Sequence, residues 1–220
     1  MKTRLATLVV AAALAAAPLA LAKQTGPAAP AVAPADAAGD PLTPVQRDTL
    51  LKQAAASLEK VKTATGKFEQ LAPDFSVETG RFALSRPGKV RFEYDAPSPL
   101  LIVSNGTTVA MQDSELETTD RVPLGSTPLA LLLDDDLDFT TEAEVVDVTR
   151  SGDNIGVTLR DRSGEMDGTL TLLFAGPGHD LTGWRTVDGG GNITSIQLSD
   201  VQTGKKLNPR LFVVKDFDDE

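Results

Sequence analysis

Gly80-Arg81-Phe82-Ala83-Leu84-Ser85-Arg86-Pro87-Gly88-Lys89-Val90-Arg91-Phe92-Glu93-Tyr94 is the stretch on which the reading of this chain turns. Phe82, Leu84 and Arg86 fall on alternate positions, as do Val90, Phe92 and Tyr94, with Arg91 and Glu93 on the opposite parity. A period of two marks strands with one buried face, and Arg86-Pro87-Gly88 between the runs supplies a turn. Two neighbouring strands therefore offer apolar side chains to one side of a sheet.

Toward the C-terminus, residues 100–103 form a continuous apolar run that turns at Asn105-Gly106, a strong hairpin signal. Thr127-Pro128 then opens and caps a leucine-rich helical segment, Leu129-Ala130-Leu131-Leu132-Leu133. Residues 145–149, 155–160, 169–174, 183–187, 193–198 and 211–214 read as further strands, separated by Gly, Asn, Asp and Ser turns. Toward the N-terminus, Phe68 and Gln70 share a strand face, Phe75 and Val77 lead into the next strand, and Gly80 is placed at a bulge. Thr43-Pro44 starts an amphipathic helix whose apolar face carries Leu51, Ala54, Leu58 and Val61 and which is expected to end near Thr65-Gly66. About ten to eleven short strands in one domain must curl strongly or close on themselves, leaving the helices to cover a face or a mouth.

The termini and composition narrow the class. Residues 1–22 read as a secretory signal peptide: Lys2 and Arg4, an Ala/Leu run over 5–21, and an Ala20-Leu21-Ala22 cleavage site. A membrane anchor is the alternative, with an apolar run short for a span. Residues 23–42 are an Ala/Pro-rich flexible linker, and 43–220 form a single domain. Absence of cysteine excludes disulfides and thiolate metal sites, and one histidine, His179, in a Gly-Pro-Gly-His-Asp loop, leaves little for a nucleophilic triad. Net charge is −10, and loss of two basic residues with the leader takes it to −12, which argues against nucleic acid and anionic membranes as partners. Asp134-Asp135-Asp136 lacks the spacing of a calcium loop and reads either as a solvated helix end or as a cation site. Arg86 has two readings as well. If its face is concave and apolar, the guanidinium needs partners, which helix carbonyls near Leu132 and Leu133 would supply; otherwise it sits at a strand end in water.

Gly66-x-Phe68-x-Gln70, Gly80-x-Phe82-x-Leu84-x-Arg86-Pro87, Phe92-x-Tyr94-x-x-Pro97, Val103-Ser104-Asn105-Gly106 and Thr127-Pro128-Leu129, in that order and spacing, resemble the periplasmic outer-membrane lipoprotein carrier family, LolA. The similarity runs over roughly 43–217. It implies a mainly β fold: an incomplete, strongly curved antiparallel β-barrel with a helical lid and one N-terminal amphipathic helix. It implies a periplasmic carrier without enzyme activity or cofactor, acting as a monomer. Its partners would be acylated lipoproteins, an inner-membrane ABC-type release complex and an outer-membrane lipoprotein acceptor. By position, Arg86 is the lid latch toward Leu132 and Leu133, while Phe68, Phe82, Leu84, Phe92, Leu129 and Leu132 are the acyl-chain-binding set. The chain departs from the family in carrying Val109-Ala110-Met111-Gln112 where aromatics commonly follow the Asn-Gly turn, and Val90 where an aromatic often follows the Arg-Pro turn. Two other readings stand beside it: a lipid- or lipoprotein-sensing adaptor of the same fold, and a secreted hydrolase with two carboxylates across the barrel mouth.

Overall fold

A computed structural model describes residues 42–134, 139, 143–162 and 167–217. The expected signal peptide and nearly all of the expected linker lie outside the described residues, as do Asp135 and Asp136. Helix α1 (Pro44–Lys60) is followed by six strands: β1 (Thr63–Leu71), β2 (Val77–Ser85), β3 (Lys89–Tyr94), β4 (Leu100–Asn105), β5 (Thr108–Asp113) and β6 (Thr118–Pro123). A 3-10 turn (Leu124–Ser126) and helix α2 (Leu129–Leu133) lead to β7 (Ala143–Ser151), β8 (Asn154–Asp161), β9 (Thr169–Ala175), β10 (Asp180–Val187) and β11 (Ile193–Thr203).

All eleven strands belong to one antiparallel sheet, ordered β6-β5-β4-β3-β2-β1-β11-β10-β9-β8-β7. Two meanders are thus zipped together at the centre by β1 and β11, while β6 and β7 remain the outer edges of an incomplete barrel. The concave face is apolar and holds the main core, over which both helices lie.

α1 starts as its sequence dictates. Thr43 accepts from the Gln46 amide, the Gln46 side chain accepts from the Thr43 amide, and Pro44 occupies the first turn. Leu50, Ala54, Ser57 and Leu58 are its buried residues, with Leu51 and Val61 packed at the margin of the core. It ends at Lys60, about a turn earlier than the sequence suggested. Val61 leaves helical geometry, and Thr63 and Thr65, β-branched residues suited to a pleated surface, already belong to β1. The expected bulge is also displaced: β1 and β2 pair without a shift through Gly80, whereas β1 shifts against β11 between Thr65 and Lys67, around Gly66.

Residues 211–214 do not form a strand. Pro209 and the Asn208 side chain, which accepts from the Arg210 amide, set up a 3-10 turn (Pro209–Phe212) instead. Its apolar residues serve a different surface. Phe212 buries against Ala83 and Val103 on the convex side of the sheet, and the strap beyond is held by Gln112 Nε2 donating to Lys215 O (2.7 Å) and by the Arg121–Asp216 ion pair (2.6 Å).

Candidate ligand-binding cavity

Glycines opposite aromatic rings shape the concave wall. Phe68 pairs with Gly80, which in turn pairs with Tyr94; Gly66 pairs with Phe82, which pairs with Phe92. A Cβ on Gly80 would lie 2.6 Å from the Phe68 ring and 2.3 Å from Glu93 O, and one on Gly66 would lie 2.7 Å from the Phe82 ring. The rings therefore occupy the space that side chains on the neighbouring strand would fill, a pairing that suits a strongly bent sheet. Phe68 meets Phe92 and Tyr94 edge-on at 5.3 and 4.9 Å, and Phe92 meets Trp184 at 5.9 Å. Such pairs each add about 0.5–1.5 kcal/mol beyond area burial.

These four rings, with Ile102, Val109 and Ile196, wall a cavity of about 640 Å³, counting the space open at its mouth. Thr127, Pro128 and Leu129 roof it, and Gln70, Thr186 and Thr194 join the Tyr94 hydroxyl as polar members of its wall. Among the described residues that line it there is neither a carboxylate nor an imidazole. His179 lies elsewhere, half-buried in the β9–β10 turn, where its carbonyl accepts from Ser57 Oγ of α1 at 2.6 Å.

The roof is fastened at Arg86. The residue follows β2 on the same parity as Phe82 and Leu84, and it is only 8% exposed. A guanidinium so placed requires hydrogen-bond acceptors. Arg86 Nη2 donates to Leu132 O of α2 at 2.8 Å, and Nη1 donates to Leu58 O near the end of α1. Both acceptors lie in the last turn of a helix, where the dipole favours a cation. The adjoining turn adds a third tie: Gly88 N donates to Leu133 O at 2.9 Å. Gly88 has φ +73°, and a Cβ there would stand 2.7 Å from Gly106 Cα, so only glycine suits this contact between the two turns. Ser104, fully buried, donates to Gly88 O at 2.6 Å and braces it.

The structure brings the sequence-derived site residues together in two groups. Arg86 meets the Leu132 carbonyl, whereas the Leu133 carbonyl is taken by Gly88 N. Phe68, Phe92 and Leu129 line the cavity. Phe82, Leu84 and Leu132 are buried in the surrounding core without lining it, Phe82 lying against Phe92 at a centroid distance of 6.3 Å. Thr127 does not cap α2. Its hydroxyl donates back to Leu124 O (2.8 Å) in the preceding 3-10 turn, and Pro128 stands at the N-cap position without a side-chain bond. Trp184, Tyr94, Ile102, Val109 and Ile196 are cavity residues that the sequence reading did not single out. Trp184 and Thr186 share the parity of an alternating strand, but that pattern carries no statement of which strands face each other across the barrel.

An open sheet curled around a lidded apolar cavity defines a protein built to enclose a hydrophobic ligand. Residues 59–215 match the family model described as outer membrane lipoprotein carrier protein LolA. An "Outer-membrane lipoprotein carrier protein" of Pseudomonas paraeruginosa (strain PA7) is 33% identical over 187 residues, covering 80% of this chain and 88% of the relative. A protein of the same description from Methylococcus capsulatus (strain Bath) is 32% identical, covering 70% of this chain and 78% of the relative. A solved structure of a putative outer membrane lipoprotein-sorting protein domain from Vibrio parahaemolyticus overlaps 74% of this chain and 95% of its own at a TM-score of 0.47 and 10% identity. The chain belongs to the LolA family of outer-membrane lipoprotein carriers.

Proposed function

We propose that this protein is a periplasmic carrier that receives acylated lipoproteins from an inner-membrane ABC-type release complex, encloses their acyl chains beneath α2 and delivers them to an acceptor at the outer membrane. The observation that carries this reading is the aromatic cavity under a short helix fastened by one buried arginine. It fits a carrier of apolar chains, and its described lining offers no general acid or base for a hydrolase.

The energies favour partial enclosure. A methylene gains ~0.8 kcal/mol on burial, so three acyl chains with roughly 40 methylenes would gain ~30 kcal/mol, beyond the practical ceiling of about 20 kcal/mol for non-covalent binding. At about the 30 Å³ share of a water molecule each, roughly 40 methylenes would need ~1200 Å³, more than the 640 Å³ of the cavity even with the space open at its mouth. A full load therefore requires α2 to lift. Breaking the Arg86 to Leu132 bond, a hydrogen bond to a charged group, costs ~1.5–3 kcal/mol, which offsets a modest part of the burial gain and leaves release within reach.

Native mass spectrometry of the protein taken from the periplasm should find an acylated polypeptide bound. A protein recovered empty every time, and unable to draw lipoproteins out of inner-membrane vesicles, would remove the proposal. Arg86→Leu should fold yet transfer its cargo to the acceptor abnormally, and unchanged transfer would take Arg86 out of the mechanism.

A further inference from the structure

The cavity is apolar except at one end. Gln70 and Tyr94 are 6% and 8% exposed, and both border the space that Trp184 and Phe92 wall. Thr194 pairs with Thr186 across β10 and β11, while Gln70 pairs with Ile196 on one side and Glu78 on the other. The four polar side chains thus gather on the central strands of the sheet and on β3. A buried amide or hydroxyl is costly unless it is hydrogen-bonded.

Tyr94 Oη donates to Gln70 Oε1 at 2.8 Å, which occupies the amide oxygen and fixes the amide so that Nε2 is the free-facing donor group. One Nε2 hydrogen reaches Glu78 Oε2 only at 3.5 Å, a long contact. Among the described residues the hydroxyls of Thr186 and Thr194 are not engaged in any side-chain hydrogen bond, although both line the cavity. The set is therefore rich in donors. Glu78, half-buried beside Gln70, adds a negative charge that disfavours an anion here.

We propose that this end of the cavity is a subsite for uncharged acyl carbonyls, the ester oxygens that join fatty chains to their polar head, with Gln70, Thr186 and Thr194 as donors and Tyr94 as the residue that positions Gln70. The inference rests on the carrier reading and deepens it. An ester carbonyl accepts hydrogen bonds and donates none, which suits the donor-only Gln70 amide nitrogen and the threonine hydroxyls in their donor role. It also lies where the apolar chains end, so binding there orients the ligand with its chains toward Phe68, Phe92 and Trp184. A fatty-acid carboxylate placed there would be disfavoured by the charge of Glu78 beside Gln70.

Trp184 is the chain's single tryptophan and stands in the cavity wall, so its emission reads occupancy directly. The probes are a synthetic lipopeptide with two palmitoyl esters on a glycerylcysteine, its dihexadecyl ether counterpart with equal chains and no ester carbonyls, and palmitate. The wild type should bind the ester about tenfold more tightly than the ether, and palmitate more weakly than either. Gln70→Leu should shrink the ester preference about fivefold, and Thr186→Val with Thr194→Val should shrink it by a similar factor. The ratio of ester to ether affinity is the readout, because any change that a variant makes to the cavity as a whole acts on both ligands, and circular dichroism shows that each variant is folded. Equal binding of ester and ether by the wild type would overturn the subsite while leaving the carrier reading intact, as would variants that weaken both lipopeptides alike. Failure of Trp184 to respond to either lipopeptide would overturn the carrier reading and the subsite with it.

Discussion

The two helices cover the same concave sheet and meet at the same arginine, yet they are built in opposite ways. α1 has seventeen residues, a capping box, and ties to the sheet through Arg47 to Val145 O (2.8 Å) and Ser57 to His179 O (2.6 Å). Beneath it, Leu50, Ala54 and Leu58 bury into a core that also takes in Leu159, Leu172 and Phe174. α2 has five residues, no side-chain cap, and a cavity at its edge. A helix that short cannot sustain itself in water and depends on what it touches. The half of the barrel under α1 is thus packed core, and the other is roofed by a helix that depends on its ties to its neighbours. Arg86 spans both. Were α2 to lift, the guanidinium would lose Leu132 O and keep Leu58 O, so the buried charge would not lose both acceptors together.

The largest effect expected separates the halves by packing. Leu58→Ala opens a void under α1 and should cost ~2–5 kcal/mol in urea unfolding, whereas Leu129→Ala, at a half-buried position already facing empty space, should cost under ~1 kcal/mol. Similar losses at the two positions would mean that the roof is packed like the core. Next in size is Arg86→Leu read by amide exchange. Loss of a charge-assisted bond worth ~1.5–3 kcal/mol should speed exchange at Asp134, whose amide donates to Ala130 O at 3.1 Å in α2, by about 10- to 100-fold. Exchange in the middle of α1 should change far less. Equal acceleration in both helices would make Arg86 a general structural cation, with no special hold on the roof.

Much of this was legible because alternation is a local signal. Phe82, Leu84, Val90, Phe92 and Tyr94 bury on the parity read from the sequence, Asn105-Gly106 makes the expected hairpin, and Thr43-Pro44 starts α1. What escaped depends on residues far apart in the chain. That β1 lies against β11, and so brings Trp184, Thr186 and Thr194 to Phe68 and Gln70, follows from no local pattern. Arg86 shows the boundary well. Its parity with Phe82 and Leu84 pointed inward and its carbonyl partners in α2 were within reach of argument, but Leu58 O of α1 was not, because nothing near residue 86 specifies where α1 ends. The tail misled for a related reason: residues 211–214 are a continuous apolar run that reads as a strand, and only Asn208-Pro209 upstream turns it into a strap with one deeply buried ring.

Smaller effects sharpen the contrast. Thr43→Ala removes the capping box on the packed side and should cost about 1 kcal/mol in thermal or urea unfolding, with lipopeptide affinity unchanged because the cap does not line the cavity. An accompanying loss of affinity would show that α1 too takes part in opening.

The smallest effect is silent at neutral pH and belongs to the hollow side alone. Tyr94, the chain's one tyrosine, is pushed up from the usual phenol range chiefly by burial, then by the charge of Glu78, with its bond to Gln70 opposing. Above about pH 10 the unfolded chain releases this proton while the folded chain retains it. The folded state then binds more protons, so its stability is undiminished below that pH and falls as the pH rises further. Denaturant titrations from neutral to strongly alkaline pH should show this slope in the wild type and a flatter one in Tyr94→Phe, with phenolate absorbance appearing in step with unfolding. Ionisation of the phenol in a still-folded protein would mean that water already reaches the polar end of the cavity while α2 is closed, and the roof would then be looser than its ties to Arg86 and Gly88 imply.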